Sequence, residues 1–460
     1  MNSTNVLIIG AGVAGKSLAD NLHEQGIPMV GYLDDNATEP DVLGKLADIN
    51  EIVKRYCVTD IYFSIPSAPA EVLRNFLNTI DNGSVKVSII PRSLNIISKN
   101  TVNINDLTDV DILSLVGRQP VKQDLLDNKS FIKDKTVFVT GAAGSIGSKL
   151  VKLLIKLEPK LLVCIDWWEN GMFFLQQDLK DIPNITYRIA DIKNASKIDK
   201  LYAEFEPDIT FHAAAYKHVP LMQANPLEAV NNNVWGSLNL MRMAKKHHCS
   251  NFVYVSTDKA VNPVNVMGAT KRIGEMLLET LAAEENGTKY TAVRFGNVIQ
   301  SNGSVMQIFK KQIEKGEPLT VTHKDVTRYF MTVEEAAQLI IQSALLGNSG
   351  EIFVLDMGEP VKVLDLANSL IKLLNKPIDI KIIGLRPGEK MFEELSFDLK
   401  NVSKTENDKI YIVKNEKSFD KTSFIREVEE ILQKTLNYSI SDQELIDKLI
   451  CLGFPIKKER

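Results

Sequence analysis

Two stretches of this chain demand the same local geometry. Val6–Ile9 runs directly into Gly10-Ala-Gly12-Val-Ala-Gly15, and Thr136–Thr140 into Gly141-Ala-Ala-Gly144-Ser-Ile-Gly147. In each, an apolar run rich in β-branched residues reads as a buried strand, and an amphipathic segment follows the glycines. Strand, tight turn and helix in that order commit the surrounding chain to parallel pairing, because a crossover helix joins parallel neighbours. The glycines let backbone approach a pyrophosphate closely, and the helix N-terminus favours its charge. About 20 positions on, at the end of a second apolar strand, each unit carries an acidic residue suited to a ribose hydroxyl. These are Asp34 in VGYLDD and Asp166 in LLVCID.

The second unit continues as a doubly wound sheet. Tyr187–Asp191, Ile209–Ala215, Asn251–Val255 and Thr291–Phe295 read as further strands, each followed by a helical segment or a polar loop. The first unit offers strands near Val6–Ile9, Met29–Leu33, Asp60–Ser64 and Val85–Ile90, enough for a small α/β domain. Its glycine turn either binds a nucleotide or is a structural feature of an accessory domain that takes some other ligand. The fold expected is α/β: two Rossmann-like, doubly wound parallel-sheet domains, the second with a small α/β substrate-binding lobe. The polar stretch from Gly117 to Asp134 reads as a linker. The expected division is an accessory domain over 1–130, a catalytic domain with its lobe over 131–400, and a C-terminal helical tail over 401–460. That tail includes a helix opened by the capping box Ser441-Asp-Gln-Glu444.

Composition narrows the class of function. At 460 residues the chain exceeds the size at which one core stops growing, so two domains are expected. A formal net charge of −4 gives no support to nucleic-acid or membrane-surface binding. Cys57, Cys164, Cys249 and Cys451 are far apart and have neither metal nor redox spacing, so reduced thiols and no metal centre are expected. No apolar run approaches the ~18 residues of a membrane span, and the first strand begins too early to leave room for a signal peptide. A soluble, cytoplasmic chain is the expectation.

The chemistry concentrates in residues 256–271, STDKAVNPVNVMGATK. The strand Asn251–Val255 precedes them, so Ser256, Thr257, Asp258 and Lys259 fall at its carboxyl end, where open α/β sheets bind ligands. Asn262-Pro263 breaks the chain, and from about Val266 the pattern turns helical, with Met267 and Lys271 four apart on one face. That is the spacing of the Tyr-x-x-x-Lys pair of short-chain dehydrogenase/reductases, with methionine in the tyrosine position. A phenolate can take a hydroxyl proton while hydride leaves carbon; a thioether cannot. The nearest replacement in sequence is Asp258. By itself, Asp258-Lys259 would read as a solvated pair on a loop.

In order along the chain, six segments resemble the nucleotide-sugar 4,6-dehydratases of bacterial capsule, O-antigen and protein-glycan synthesis, within the extended short-chain dehydrogenase/reductases. They are TGAAGSIGS (140–148), HAAAYKHVPLMQANPLEAVNNN (212–233), STDKAVNPVNVMGATK (256–271), RFGNVIQSNGSV (294–305), THKDVTRYFM (322–331) and GLRPGEKMFEEL (384–395). The leading domain together with Met267 resembles the long-form branch, UDP-N-acetylglucosamine 4,6-dehydratases that retain configuration at C5. Short-form members, which invert C5, usually keep the tyrosine and lack the leading domain. Two departures stand out: long forms carry membrane helices ahead of the first glycine motif and face the cytoplasm, and Trp167-Trp168-Glu169-Asn170 lengthens the stretch after the ribose-binding aspartate.

The resemblance implies a redox-neutral lyase with tightly held NAD, converting UDP-N-acetylglucosamine to UDP-2-acetamido-2,6-dideoxy-α-D-xylo-hexos-4-ulose. The absence of an arginine close after Asp166 also favours NAD over NADP. By resemblance, Gly141, Gly144, Ser145, Ile146, Gly147, Asp166, Asp191, Ile192, Ala213, Ala214 and Lys271 would hold the cofactor. Thr257 would bond the 4-hydroxyl, Asp258 would protonate the departing C6 hydroxyl, and Lys259 would be the base at C5. With Met267 unable to accept the 4-hydroxyl proton, Asp258 would take it first, directly or through Thr257 or water. Lys259 must then be deprotonated, which requires burial or a neighbouring cation, and Lys271 is the cation expected there. Lys217, Asn297, Arg328, Arg386 and Glu389 would bind the nucleotide sugar, the arginines through their planar fork. A homo-oligomer, dimer or hexamer, is implied as well. The competing readings are a C5-inverting dehydratase, a 4-epimerase, which needs no acid at C6, and a non-catalytic NAD or sugar-nucleotide sensor.

Overall fold

The computed structural model describes residues 4–81, 85–90, 108–109, 112–117, 129–284, 287–299, 301–374, 378–395, 402–414 and 418–457. The chain divides into two compact units, one formed by Met1–Pro120, Phe309–Asp325 and Val361–Ile382, the other by Val121–Ile308, Val326–Pro360 and Ile383–Arg460. Two segments expected inside a continuous 131–400 domain therefore belong to the first unit. There Leu319–Val321 pairs in parallel with Ile380–Ile382, and the helix Val363–Leu374 packs on the helix Ala70–Thr79. An amphipathic helix reads the same in sequence whichever partner covers its apolar face, so the pattern could not reveal this return. The linker expected over 117–134 falls mostly on residues 118–128, outside the described residues.

The first unit contains β1 (Val6–Ile9), β2 (Met29–Leu33), β3 (Val42–Gly44), β4 (Asp60–Phe63), β5 (Lys86–Ile89) and β6 (Thr108–Asp109), in the order β3-β2-β1-β4-β5-β6. All neighbours are parallel except β5 and β6. The β1 side chains are fully buried, and Val6 and Ile8 pack with Leu18 and Leu22 of the helix Val13–Glu24. The short β3 and β6 were not anticipated; a three-residue and a two-residue strand leave no usable periodicity.

The second unit is built on β7 (Thr136–Thr140), β8 (Leu161–Asp166), β9 (Ile185–Ile189), β10 (Ile209–His212), β11 (Asn251–Val255), β12 (Lys289–Arg294), β13 (Glu351–Leu355), β14 (Val402–Lys404) and β15 (Ile410–Val413). Their order is β14-β15-β13-β12-β11-β10-β7-β8-β9, parallel from β13 to β9 and antiparallel over β13, β15 and β14. Strand order reverses between β7 and β10, the place where such sheets open a crevice at their carboxyl edge. Both faces are covered, which is why the strands are continuous apolar runs: Val137, Phe138, Val139, Leu162, Val163 and Cys164 are all fully buried. Residues 402–413 add two strands to this sheet, so the segment from 401 on is not wholly helical as expected. The helices Lys421–Leu436 and Asp442–Cys451 that follow contribute Phe424, Val428, Leu445 and Leu449 to one core, and Ser441 and Glu444 form the capping box.

Candidate active site

At the end of β7 the chain turns through Gly141, which holds φ at +70°, into the helix Ser145–Leu154. A Cβ on Gly141 would lie 2.7 Å from both the carbonyl carbon of Ala213 and the nitrogen of Ala214, and one on Gly147 would lie 2.0 Å from the Gly141 oxygen. Gly147→Ala should therefore shift the turn off the helix start and cost roughly 1–3 kcal/mol. The expected outcome is a lower melting temperature and loss of co-purifying dinucleotide, read from the ultraviolet spectrum.

The Asp166 carboxylate accepts hydrogen bonds from the Ala143 nitrogen at 3.0 Å and the Trp168 nitrogen at 3.0 Å, which fixes it beside the turn. Burial raises its pKa against the pull of those N–H groups. Asp191 accepts from the Lys193 nitrogen at 2.8 Å, and the buried Ile192 gives its carbonyl to Asn239 Nδ2 at 2.8 Å. Ser145 and Ile146 open the helix, Ser145 Oγ accepting from the Asn302 nitrogen at 3.0 Å. A bare-backbone turn, a helix N-terminus and a carboxylate one strand over fit a dinucleotide. Trp167 and Trp168, which follow Asp166, are exposed.

Asp258–Ala260 forms one 3₁₀ turn at the end of β11, begun by Thr257. The helix Val266–Ala282 sits against this turn so closely that a Cβ on Gly268 would meet the Lys259 oxygen at 2.3 Å. Asn265 caps that helix through the Gly268 nitrogen at 2.7 Å. Asp258 is fully buried. Its Oδ1 accepts from Thr257 Oγ1 at 2.8 Å and Lys259 Nζ at 2.9 Å, while its Oδ2 has no hydrogen-bond partner among the described residues. Lys259 Nζ also donates to Asn297 Oδ1 at 3.2 Å and lies 3.7 Å from Glu393 Oε1. An aspartate bonded to both a hydroxyl and an ammonium can pass a proton either way.

Two expectations need correction here. Burial pulls the Lys259 pKa down, but the carboxylates of Asp258 and Glu393 outweigh it, and the net displacement is upward. In this state Lys259 is an ammonium rather than the free amine expected of it. Lys271 does not supply the neighbouring cation: its ammonium lies over the Tyr254 ring, 3.9 Å from the centroid, and the cation that pulls the Lys259 pKa down is Arg328. The lysine whose pKa Lys259 does push down, after burial, is Lys217.

Lys271 is buried, and desolvation lowers its pKa to about 7, with Glu275 opposing. Folded, it releases its proton near pH 7; unfolded, near its ordinary 10.5. Between those values the unfolded chain binds the extra proton, so stability rises with pH. The slope from this one group is at most about 1.4 kcal/mol per pH unit. Lys271→Met should flatten that rise between pH 7 and 10 in urea melts of cofactor-free protein.

Met267 is buried and belongs to a hydrophobic core cluster. Lys217 Nζ donates to Ser301 Oγ at 3.3 Å, and the backbone of the preceding Tyr216 is clamped on both sides by Asn233, at 2.8 and 2.9 Å. Asn233 comes from a single π-helical turn, Asn231–Trp235, an irregularity frequent at functional sites. Arg328 donates to Glu389 Oε1 at 2.9 Å and to the carbonyls of Thr327, Lys390 and Met391. Arg386 reaches the other oxygen of Glu389 at 3.3 Å and is half exposed. The two arginines expected at the nucleotide are thus tied together through Glu389, with only Arg386 open to solvent. His323, given no role from sequence, belongs to the other compact unit.

Sequence reasoning missed Glu393 and Glu275. Glu393 is 8% exposed, and among the described residues its Oε2 has no hydrogen-bond partner. Its place in GLRPGEKMFEEL, between Phe392 and Glu394, gave no reason to single it out. Glu275 accepts from Ser256 Oγ at 2.6 Å and from Arg294 Nε and Nη2, each at 2.7 Å, and so anchors the strand end just before Thr257. It lies four residues after Lys271 on the same helix, the one signal available.

The sequence profile of a family described as "Polysaccharide biosynthesis protein" matches residues 137–415. The chain is 42% identical over 408 residues to the capsular polysaccharide biosynthesis protein CapD of Staphylococcus aureus, covering 85% of this chain and 68% of that protein. The X-ray structure of Pen from Bacillus thuringiensis is similar at a TM-score of 0.59 and 31% identity, over 67% of this chain and 99% of that one. A Thermus thermophilus UDP-glucose 4-epimerase in complex with NAD shares the fold at a TM-score of 0.51 and 21% identity, over 57% of this chain and 90% of that one.

Proposed function

Because this chain belongs to the polysaccharide biosynthesis protein family, we propose that it is an NAD-dependent sugar-nucleotide dehydratase acting on UDP-N-acetylglucosamine, with retention at C5. What supports this reading most is the pair of the buried Asp258 and the part-buried Lys259, two proton-carrying groups hydrogen-bonded at 2.9 Å, beside a helix that carries Met267 where a proton-accepting tyrosine would stand. An epimerase needs no acid for a departing hydroxyl, and a sensor needs neither group.

The Gly141–Gly147 turn and Asp166 would hold NAD, whose nicotinamide would supply reversible hydride chemistry at the sugar. Asp258 takes the 4-hydroxyl proton, through Thr257 or directly, and is then the acid that turns the C6 hydroxyl into water. Lys259 removes the C5 proton, made acidic by the C4 ketone, and gives a proton back to the same face. Each proton removed has a carrier that returns it, so the cycle needs no external acid or base. Lys217 and Asn297 border these groups and would orient the sugar, and Arg386 and Arg328 would take the diphosphate, Arg328 by exchanging part of its bond to Glu389.

Proton NMR of the purified chain with UDP-N-acetylglucosamine in deuterium oxide, without added cofactor, tests this. A 6-deoxy-4-keto product carrying deuterium at C5 supports a dehydratase, and the couplings to C5 separate retention from inversion. A C4 epimer with its C6 hydroxyl intact would replace the reading with an epimerase, and unchanged substrate with NAD bound would favour the sensor.

A further inference from the structure

Lys259 Nζ stands between two carboxylates, 2.9 Å from Asp258 Oδ1 and 3.7 Å from Glu393 Oε1. The second oxygen of each, Asp258 Oδ2 and Glu393 Oε2, is buried and has no hydrogen-bond partner among the described residues. Buried carboxylate oxygens left unbonded are costly, and each can take a proton without breaking a bond already made. Asp258 has an assigned role under the function proposed above; Glu393 has none.

The chemistry leaves a gap that Glu393 fits. As an ammonium, Lys259 has no lone pair for the C5 proton, and its ammonium is stabilised by these same two carboxylates. Once Asp258 has taken the 4-hydroxyl proton, the closest counter-charge of Lys259 is gone. The carboxylate that remains within reach is Glu393. We propose that Glu393 then accepts the Lys259 proton, freeing the amine to act at C5.

In this step an Nζ–H bond breaks, an O–H bond forms on Glu393, and the electron pair stays on nitrogen. The charged pair becomes a neutral pair, the change that a low-dielectric site favours. The proton returns to Lys259 when Asp258 ionises again, so the balance closes over one turnover. The charged groups facing Glu393 are Lys259, Asp258, Arg328 and Lys390. Arg328 is engaged with Glu389 and three carbonyls, and Lys390 donates to the Val261 oxygen at 3.0 Å. Burial is the largest influence on Glu393 and raises its pKa, which makes it a better proton acceptor than an exposed glutamate. Glu393 acts through Lys259 and is a positioning residue rather than a catalytic one.

This inference rests on the roles proposed for Asp258 and Lys259, so the parent protein is assayed beside the variants. Glu393→Gln keeps the shape and cannot accept the proton. Its kcat for UDP-N-acetylglucosamine should fall about 10²-fold, the low end for a proton-transfer group, with KM within about threefold. Lys259 must then lose its proton to solvent, so kcat of the variant should climb tenfold per pH unit from pH 7 to 9 while the parent stays flat. Glu393→Asp should recover part of the rate and the flat profile. A Glu393→Gln kcat and pH profile matching the parent would overturn the assignment. So would a fall that pH does not rescue and that comes with a lowered melting temperature, the mark of a purely structural role. A parent that leaves the substrate unchanged removes the dehydratase reading itself, and the role of Glu393 with it.

Discussion

Lys259→Ala should lower turnover of UDP-N-acetylglucosamine at least about 10²-fold, and up to about 10⁴-fold, while the protein still folds at mild acidity. The loss has two sources that different measurements separate. The first is chemical: no amine remains to remove the C5 proton, so deuterium incorporation at C5 should fall in parallel with product formation. The second is electrostatic. Asp258 and Glu393 are 0% and 8% exposed, and removing the ammonium leaves two buried carboxyls facing one another. Taking one partner from a buried ion pair typically costs about 3–5 kcal/mol. With the closest counter-charge gone, and with Arg328 and Lys390 facing Glu393 but bonded elsewhere, the folded-state pKa of at least one carboxyl should rise above its unfolded value. Such a group contributes stability at low pH and loses it as pH rises through the folded pKa. The deficit against the parent should therefore be small near pH 5 and large near pH 8 in urea melts. Near-normal turnover in Lys259→Ala would move the C5 base elsewhere.

Glu275→Gln should destabilise the second unit by about 3–5 kcal/mol, although no catalytic role is given to this residue. Its carboxylate is fully buried and receives Arg294 through two bonds of 2.7 Å, Arg272 at 3.0 Å and Ser256 at 2.6 Å. An amide of the same shape leaves two buried guanidinium charges opposite a neutral group. Burial raises the Glu275 pKa, but the Arg294 and Arg272 guanidinium groups and the Ser256 hydroxyl outweigh it and hold the carboxyl at about 2. A depressed carboxyl contributes stability above its unfolded pKa and loses it as pH falls toward the folded one. The gap between parent and variant should therefore persist from pH 8 to about 5 and close on acidification. Because Ser256 directly precedes Thr257 and Asp258, a drop in kcat beyond the unfolded fraction is also expected. A melting curve coincident with that of the parent would mean the ion cluster carries no net stability.

The strand-and-glycine units were legible because their signal is local. Val6–Ile9, Thr136–Thr140, Leu161–Asp166 and Asn251–Val255 are strands with the bounds read from sequence, since continuous apolar runs cut by glycine or polar residues leave little choice. Residues 185–189, read as 187–191, were misplaced because Ile185–Ile189 is only partly buried and its pattern is weaker. Asp258 and Lys259 could be placed at a strand end from sequence, because one strand and one turn suffice to put them there. Their protonation could not, because it depends on Glu393, 134 positions after Lys259, and on the burial of both carboxylates.

By itself, the sequence determined the doubly wound second unit, its glycine turn and Asp166, the neighbourhood of Thr257, Asp258 and Lys259, and the loss of the phenol at Met267. Periodicity, glycine and a short run of functional groups are properties of adjacent residues. Only the tertiary structure decided that 309–325 and 361–382 return to the first unit, that Lys271 faces Tyr254, that Arg328 is tied to Glu389, and that Lys259 sits as an ammonium between two carboxylates. These are matters of which distant groups share a low-dielectric space, where an ion's state follows from its buried neighbours rather than from its place in the chain.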